Sequence, residues 1–577
     1  MVRDAGRVVA PHSLRKNAAW MFGGQAVTWV LTAATLALLP RYLGPADMGR
    51  IGIGIAFSQL TMTIAGLGIA TLVTREVARH RESATEIIAT AFWLSVALGT
   101  LGACITLAIS MALGYETLTW IAIAVFAATV PFDLLLLFGF GVLQGFEVMR
   151  YHAIWDVANK LFLLCCLAVV VVFDLGLPVF LAASFLSAAL PALAVVRLMR
   201  RFTPFSPRMF SFSMARWIVT ESVPIGAVNV VLIVYLGIDV ILLSQLGDEA
   251  ASGLYAAPMR LFGTMLFAPT ILMTVLFPRM ASTAVSDELE FRRICGIALR
   301  AMTGVTVIAA VFAVFPGRIL LVGLFGDEFR DSGPVFAMMA IALVPTSINI
   351  FAHRVLVAMN RQRIWTAVMA GAVVVKIGLD FALIPLFDAT LNNAALGAAI
   401  ALVAAEAAIM AAALAMLPAG VRNRGFGSHM LRLAVVAVLT AGTMFVAVKE
   451  GFFVMTGAGI LAYVTLAFAL RVYSMSELIA GVRALTGIAQ GSGPVLQAPT
   501  PRHVAPALGA AARMKGNREA LPPELRVPSR PLTMGTGWGY STEVVVGPSR
   551  RLPAELPRKT NLALAERGAQ SGDVFRN

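Results

Sequence analysis

The chain has 577 residues, of which 59% are hydrophobic and only 13% are charged, and its formal net charge is +14. A soluble domain usually carries about 25% charged residues, so the composition excludes an ordinary soluble domain and predicts a polytopic membrane protein. The apolar runs do not alternate with polar residues as barrel strands would, which favours a bundle of helices. Membrane proteins collect Lys and Arg in cytoplasmic loops, so the positive charge does not predict a nucleic-acid partner.

About fourteen apolar runs are long enough to cross a bilayer of about 30 Å as helices, and mostly short connections join them. The predicted spans are 17–39, 49–73, 87–113, 117–143, 153–173, 176–198, 218–245, 253–277, 298–325, 333–358, 364–387, 394–417, 432–449 and 453–472. The sequence therefore predicts an all-α integral membrane protein.

The spans group into two six-helix lobes and two extra helices. The predicted domains are a cytoplasmic N-terminus at 1–16, an N-lobe at 17–198, a linker at 199–217, a C-lobe at 218–417 and the extra spans at 432–472. Residues 473–490 are predicted to form an amphipathic interfacial helix. Residues 491–577 are rich in Pro, Gly, Ala and Arg and lack an apolar period, which predicts a disordered basic cytoplasmic tail.

Basic residues are concentrated in alternate connections, such as the loop 74–86 and the long segment 197–217. The positive-inside rule makes this set of connections cytoplasmic. An even number of spans then puts both termini in the cytoplasm, and the connections of the opposite set face outward.

Three of the outward turns share a pattern of glycine, acidic or polar residues and a second glycine. They read "LGPADMG" (43–49), "LGDEAASG" (246–253) and "FGDEFRDSG" (325–333). Glycine suits the end of one helix, and Asp, Ser or Pro suits the start of the next. The first two turns follow spans 1 and 7, which is where a repeated six-helix unit would place them, and many transporters contain such repeats.

Charged residues at membrane depth are costly and usually face a cavity or a partner. Arg260 lies about two turns into span 8. Asp156 and Lys160, like Lys376 and Asp380, are four residues apart, so each pair shares a helix face and can partly neutralise itself. Such pairs suit either a cavity lining or a local ion pair that makes insertion tolerable. Further candidate counter-ions or proton-linked acids are Asp133, Asp239 and Glu406.

Motifs for enzyme or metal chemistry are absent from the sequence. No lysine follows a glycine, so there is no Walker A motif, and the six histidines lack zinc-site spacing. The four cysteines lie in or beside apolar runs without metal-ligand spacing. We therefore expect neither an enzyme nor a cofactor or metal site.

Several stretches resemble the oligosaccharide flippases of polysaccharide biosynthesis, within the multidrug/oligosaccharidyl-lipid/polysaccharide (MOP) exporter superfamily. They are "RYLGPADMGRIGIGIAFSQL", "GLGIATLVTREVAR" (66–79), "GDEAASGLYAAPMRL" (247–261), "LFGDEFRDSGPVFAMMAIAL" (324–343) and "KIGLDFALIPLFDATLNNAALGAAIA" (376–401). The resemblance covers about residues 10–475. It implies alternating access that moves undecaprenyl-diphosphate-linked oligosaccharide across a bacterial inner membrane, for a surface polymer such as exopolysaccharide or O-antigen. The implied partners are this cargo, membrane lipids, a polymerase and glycosyltransferases.

A diphosphate that crosses a low-dielectric region needs cationic compensation. We expect Arg260 and Lys376 to hold it, with Lys160 in a secondary role and with Arg41 and Arg50 at the outer mouth. Two alternatives belong to the same superfamily: a peptidoglycan-precursor flippase, and a cation-coupled multidrug exporter, many of which carry an acid in span 1 that this chain lacks. A membrane scaffold for polysaccharide assembly, suggested by the basic tail, is a third.

Overall fold

The computed structural model describes residues 11–80, 84–148, 150–202, 209–418, 424–470 and 472, and their regular structure is helical. The first six helices are α1 (Pro11–Gly66), α2 (Ile69–Arg79), α3 (Ala84–Ala112), α4 (Thr117–Gly145), α5 (Arg150–Val172) and α6 (Gly176–Phe202). Five more are α7 (Phe212–Leu246), α8 (Glu249–Met265), α9 (Phe267–Ser286), α10 (Glu288–Val314) and α11 (Gly317–Phe325). The last five are α12 (Ser332–Ala358), α13 (Gln362–Leu391), α14 (Ala394–Met416), α15 (Arg424–Ala447) and α16 (Phe452–Ala469).

Thirteen helical stretches within the described residues are long and apolar enough to cross a membrane. One of them, Val27–Gly66, has 40 residues, about 60 Å at 1.5 Å per residue, twice the thickness of a bilayer core. It contains residues 27–39 of the predicted span 1 and residues 49–66 of the predicted span 2, and a kink at Gly44 (φ 74°, ψ 177°) separates them. The predicted all-α, multi-pass membrane fold is confirmed.

Three predicted spans are interrupted helices. Span 2 is divided between α1, which ends at Gly66, and α2, which begins at Ile69. Span 8 consists of α8 and α9, which meet at Leu266, and span 9 consists of α10 followed by the short α11. Pro269 lies in the first turn of α9, where its missing N–H is tolerated but would break a continuous helix. The break therefore has a local cause in the sequence.

Helix packing follows the chain order only in part. In the first half, α4 packs against α1, α3 and α6. In the second half, α14 packs against α12 and α13, and α15 and α16 pack on each other and against α10. Large apolar side chains such as Val374 (71% exposed) and Phe453 (87% exposed) point away from these contacts, as expected of a surface that faces lipid.

Helix α7 joins the two halves at the end predicted to face the cytoplasm. Ile218 and Ile225 pack in one apolar cluster with Ile69 and Leu72 of α2. A Cβ placed on Gly226 would lie 2.5 Å from the carbonyl carbon of Leu67, so this approach needs a glycine. A movement of α7 must therefore change its packing against the first half of the bundle.

Several predictions concern residues outside the described ranges. They include the interfacial helix at 473–490, the tail at 491–577, much of the N-terminus at 1–16, and part of the linker at 199–217. The proposed domain boundaries and the orientation remain predictions. We call the end that carries the turns 43–49 and 246–253 the outer end.

Candidate functional site

At the outer end, the first two recurring turns pack against each other reciprocally. A Cβ on Gly49 would lie 1.7 Å from the carbonyl oxygen of Glu249, and a Cβ on Gly253 would lie 1.9 Å from that of Pro45. Each glycine therefore contacts the carbonyl four residues before the other glycine. Side chains cannot occupy either position without separating α1 from α8. The two copies of the turn form a close helix crossing that is nearly symmetric.

Hydrogen bonds between the two halves surround this crossing. Thr119 of α4 donates to the Glu249 carboxylate at 3.0 Å, and the Tyr115 and Ser244 hydroxyls lie 2.8 Å apart. Burial raises the pKa of Tyr115 above its usual value. Near the same end, Arg50 pairs with Asp47 at 2.6 Å. These contacts thus hold the outer ends of α4, α7 and α8 together beside the crossing.

Arg260 lies below the crossing on the same face of α8. Gly253, Ala256 and Arg260 follow a spacing of three and four residues, and Ala256 meets Gly52 of α1 (a Cβ on Gly52 would lie 3.0 Å from its Cβ). The guanidinium is partly buried. Within the described ranges, no carboxylate lies within ion-pair distance of it, and its nitrogens donate no hydrogen bond. Its charge is available for an anion that comes between the halves.

Lys376, by contrast, is fully buried and paired. Its ammonium lies 2.7 Å from Asp239 Oδ1, and both side chains are 0% exposed. It also donates to the backbone carbonyl of Tyr235 at 2.6 Å and lies 4.5 Å from the centre of the Tyr235 ring. The cost of removing the ammonium from water is offset because the carboxylate, the carbonyl and the ring replace water around it. Lys376 thus joins α13 to α7.

Two tyrosines and an asparagine extend this cluster to α8, α12 and α14. The Tyr255 hydroxyl donates a hydrogen bond to Asp239 Oδ2. The Tyr235 hydroxyl donates to Glu406 Oε1 at 2.9 Å, and Asn349 Nδ2 donates to Glu406 Oε2 at 2.7 Å. Both oxygens of the Glu406 carboxylate are therefore satisfied.

Asp380 completes the cluster. It lies one helical turn beyond Lys376 on α13, is 0% exposed, and is close enough to Asp239 and Lys376 for strong electrostatic interaction. Neither of its carboxyl oxygens accepts a hydrogen bond from any residue of the described chain. Three acids and one lysine therefore share a buried region in the second half of the bundle.

The remaining predicted residues lie apart from this cluster. Asp133 accepts a hydrogen bond from Thr129 at 2.8 Å, and Asp156 accepts one from Thr28 at 3.2 Å. Lys160 is half-buried, and no ion pair to Asp156 forms in the described part of α5. Arg41 is exposed near Gly326, and Arg50 is engaged in the ion pair at the crossing. The structure thus brings together Lys376, Asp239, Asp380 and Glu406. Arg260 lies outside this cluster, on the face of α8 that carries Gly253 and Ala256.

Three members of the cluster were not predicted from the sequence: Tyr235, Tyr255 and Asn349. One signal was available, because Tyr235 precedes Asp239 by four residues and so shares its helix face. The contacts of Tyr255 and Asn349 depend on packing between helices distant in the chain. No group of three or more His, Cys, Asp or Glu residues suited to a metal ion occurs among the described residues.

Comparison with known proteins agrees with this architecture. Residues 14–284, just under half of the chain, match the family model described as polysaccharide biosynthesis protein. No curated protein sequence matches the chain. A solved lipid II flippase, MurJ, in an inward closed conformation is 12% identical, with a TM-score of 0.63 over 79% of this chain and 98% of its own. An inward-facing MATE family multidrug transporter is 13% identical, with a TM-score of 0.57 over 69% of this chain and 96% of its own.

These matches define the class of protein: a multi-pass membrane protein with the fold of MOP-superfamily transporters. The predicted resemblance to the polysaccharide-biosynthesis branch of that superfamily is confirmed by the family match over the first half of the chain.

Proposed function

We propose that the protein is a flippase that moves a diphosphate-linked oligosaccharide lipid, the undecaprenyl-linked repeat unit of a surface polysaccharide, across the bacterial inner membrane. The observation that carries the proposal is Arg260, a cation without an ion-pair partner in the described chain, on the helix face between the halves. A partly buried guanidinium is costly to leave uncompensated at membrane depth, and its fork of donors suits phosphate oxygens. Both termini lie in the cytoplasm in this proposal.

Arg260 and Lys376 have different roles in it. Lys376 already has the Asp239 carboxylate at 2.7 Å, so a phosphate would have to displace that carboxylate to reach it. No carboxylate in the described part of the chain competes for Arg260 in this way. We therefore assign the first contact with the diphosphate to Arg260, with Lys160 as a secondary cation, and retain Lys376 as a group that a conformational change must expose before it can bind cargo.

The reciprocal crossing at Gly49 and Gly253 gives this site a direction of access. The outer ends of α1 and α8 are in contact, so in this proposal an anion approaches Arg260 from below the crossing. Separation of the two helices would expose the same guanidinium to the outer side. Alternating access around one site is the mechanism expected of transporters built from repeated units.

A deletion strain tests the class of cargo. We expect loss of the surface polysaccharide, unchanged susceptibility to drugs and normal growth, with polymer restored by the full chain supplied in trans. Drug hypersensitivity with normal polymer would instead support a multidrug exporter, and loss of viability would support a peptidoglycan-precursor flippase like the lipid II flippase to which the fold is similar.

A further inference from the structure

The buried cluster contains one carboxyl group that has no hydrogen-bond donor. Glu406 accepts from Tyr235 and Asn349, whereas Asp239 accepts from Tyr255 and pairs with Lys376. Asp380, which is equally buried, accepts from no residue of the described chain. The three acids share one environment, so this difference in donors distinguishes Asp380.

An ionised Asp380 would be an expensive arrangement. One lysine cannot neutralise both Asp239 and Asp380, and a buried carboxylate without a donor loses its solvation without replacement. A proton on Asp380 removes both costs, because the neutral acid carries no charge and its O–H can donate to the Asp239 carboxylate beside it. With Asp380 neutral, the charge of Lys376 is balanced by Asp239 alone.

The same groups leave little reason for a metal ion to bind. The ammonium of Lys376 already occupies the place between Asp239 Oδ1, the Tyr235 carbonyl and the Tyr235 ring where a bound cation would be held. It is covalently attached and cannot be released. The exchangeable positive charge of this cluster is then a proton rather than sodium.

We propose that Asp380 is the proton-binding site that couples transport to the proton gradient, with Lys376 as a fixed cation beside it. That Asp380 binds a proton does not depend on the proposed function. That this proton is a coupling ion does rest on the proposed function. The charged and titratable groups that face Asp380 are Lys376 on its own helix, Tyr235 and Asp239 on α7, Tyr255 on α8 and Glu406 on α14.

Helix α7 connects this site to the rest of the bundle. Its outer half carries Asp239, and its inner half packs against α2 through Ile218 and Ile225. Loss of the proton adds a negative charge next to Asp239 and favours hydration between α7 and α13. Because α7 also contacts the first half, a shift in this contact changes the balance between the two orientations of the bundle.

The test is an infrared titration of the full chain in lipid, without cargo. We expect the wild type to show a carbonyl band of a protonated carboxylic acid that titrates with pH. Asp380→Asn should remove the titration, and Asp133→Asn, which changes another acid at membrane depth, should keep it. A titration that survives Asp380→Asn would overturn the proposal, as would its absence from the wild type.

Radioactive sodium binding by the same samples supplies a second criterion. We expect the wild type to bind no more sodium than Asp380→Asn does, because Lys376 occupies the cation position. Sodium binding by the wild type that Asp380→Asn abolishes would overturn the proton assignment. Since neither measurement includes cargo, their failure leaves the flippase proposal standing, and a failure to move cargo leaves the proton site standing.

Discussion

The ionised groups inside the membrane differ most in whether the protein itself compensates them. Lys376 has a carboxylate, a carbonyl and an aromatic ring around its ammonium, whereas Arg260 has no ion-pair partner in the described chain. A compensated charge holds helices together, and an uncompensated one is suited to a ligand of opposite charge. The sequence predicted that both cations bind the diphosphate. Their surroundings in the structure give them different roles.

Replacement of Arg260 tests the anion site. We expect Arg260→Ala to reduce surface polysaccharide at normal protein abundance by about tenfold to a hundredfold, since hydrogen bonds to charged groups contribute about 1.5–3 kcal/mol. Arg260→Lys should keep part of the output because it keeps the charge but not the fork of donors. Arg330→Ala is the control, because Arg330 is exposed near the outer end and pairs only with Asp327 at 3.1 Å in the described contacts. Full output from Arg260→Ala would remove Arg260 from the site.

Replacement of Lys376 tests the buried pair. We expect Lys376→Met to destabilise the protein by about 3–5 kcal/mol, because Asp239 is left as an uncompensated buried charge. The double variant Lys376→Met/Asp239→Asn should recover much of this loss. The midpoint of thermal unfolding in detergent measures both effects.

The control for the buried pair is Arg292→Gln, which removes an exposed ion pair with Glu288 and should change stability by less than about 1 kcal/mol. Equal midpoints for Lys376→Met and the wild type would mean that the pair does not hold α13 to α7.

For the helices, the sequence predicted which membrane spans exist better than it predicted which helices contact each other. Apolar length alone located the spans, because each must satisfy its backbone hydrogen bonds within lipid. The same reasoning put Lys376 and Asp380 on one helix face, but the ion pair of Lys376 runs to Asp239 on another helix. Spacing along one helix cannot reveal which distant helix packs against it. The break between α8 and α9 was also missed, although Pro269 marks it.

The recurring turns are the element whose meaning changed most. Their glycines were predicted as helix ends, and Gly44 indeed has a positive φ at the kink of α1. Gly49 and Gly253 instead lie inside helices and permit the reciprocal contact of α1 with α8. The similarity of the two turns therefore reflects an interface between them as well as two similar hairpins.

Substitution at this crossing tests the outer closure. We expect Gly253→Ala to separate the outer ends of α1 and α8, because its Cβ would lie 1.9 Å from the Pro45 carbonyl oxygen. Spin labels at positions 46 and 250 should then report a longer distance than in the parent chain. Gly263→Ala, on the same helix but with open space around it, should leave the distance unchanged. Equal distances in all three proteins would show that the crossing tolerates a side chain.

At the scale of the whole molecule, the predicted tail is separable from the proposed transport site. All the residues assigned to cargo or proton binding lie between 41 and 406, and the tail begins at 491. We expect a chain that ends at residue 490 to move cargo in vesicles as fast as the full chain. If this truncated chain fails to move cargo in vesicles, the tail belongs to the transport machinery. Normal transport in vesicles with lost polymer in cells would assign it a scaffold role.

In the proposed function, the protein moves a lipid because it recognises the diphosphate next to the sugar. The most direct measurement compares the movement of two lipids across vesicles that contain the full chain: a polyprenyl diphosphate oligosaccharide and the same glycolipid without the diphosphate. We expect rapid movement of the first, little movement of the second, and a strong loss of the difference in Arg260→Ala. Equal rates for the two lipids in the wild-type protein would show that the diphosphate is not what the protein recognises.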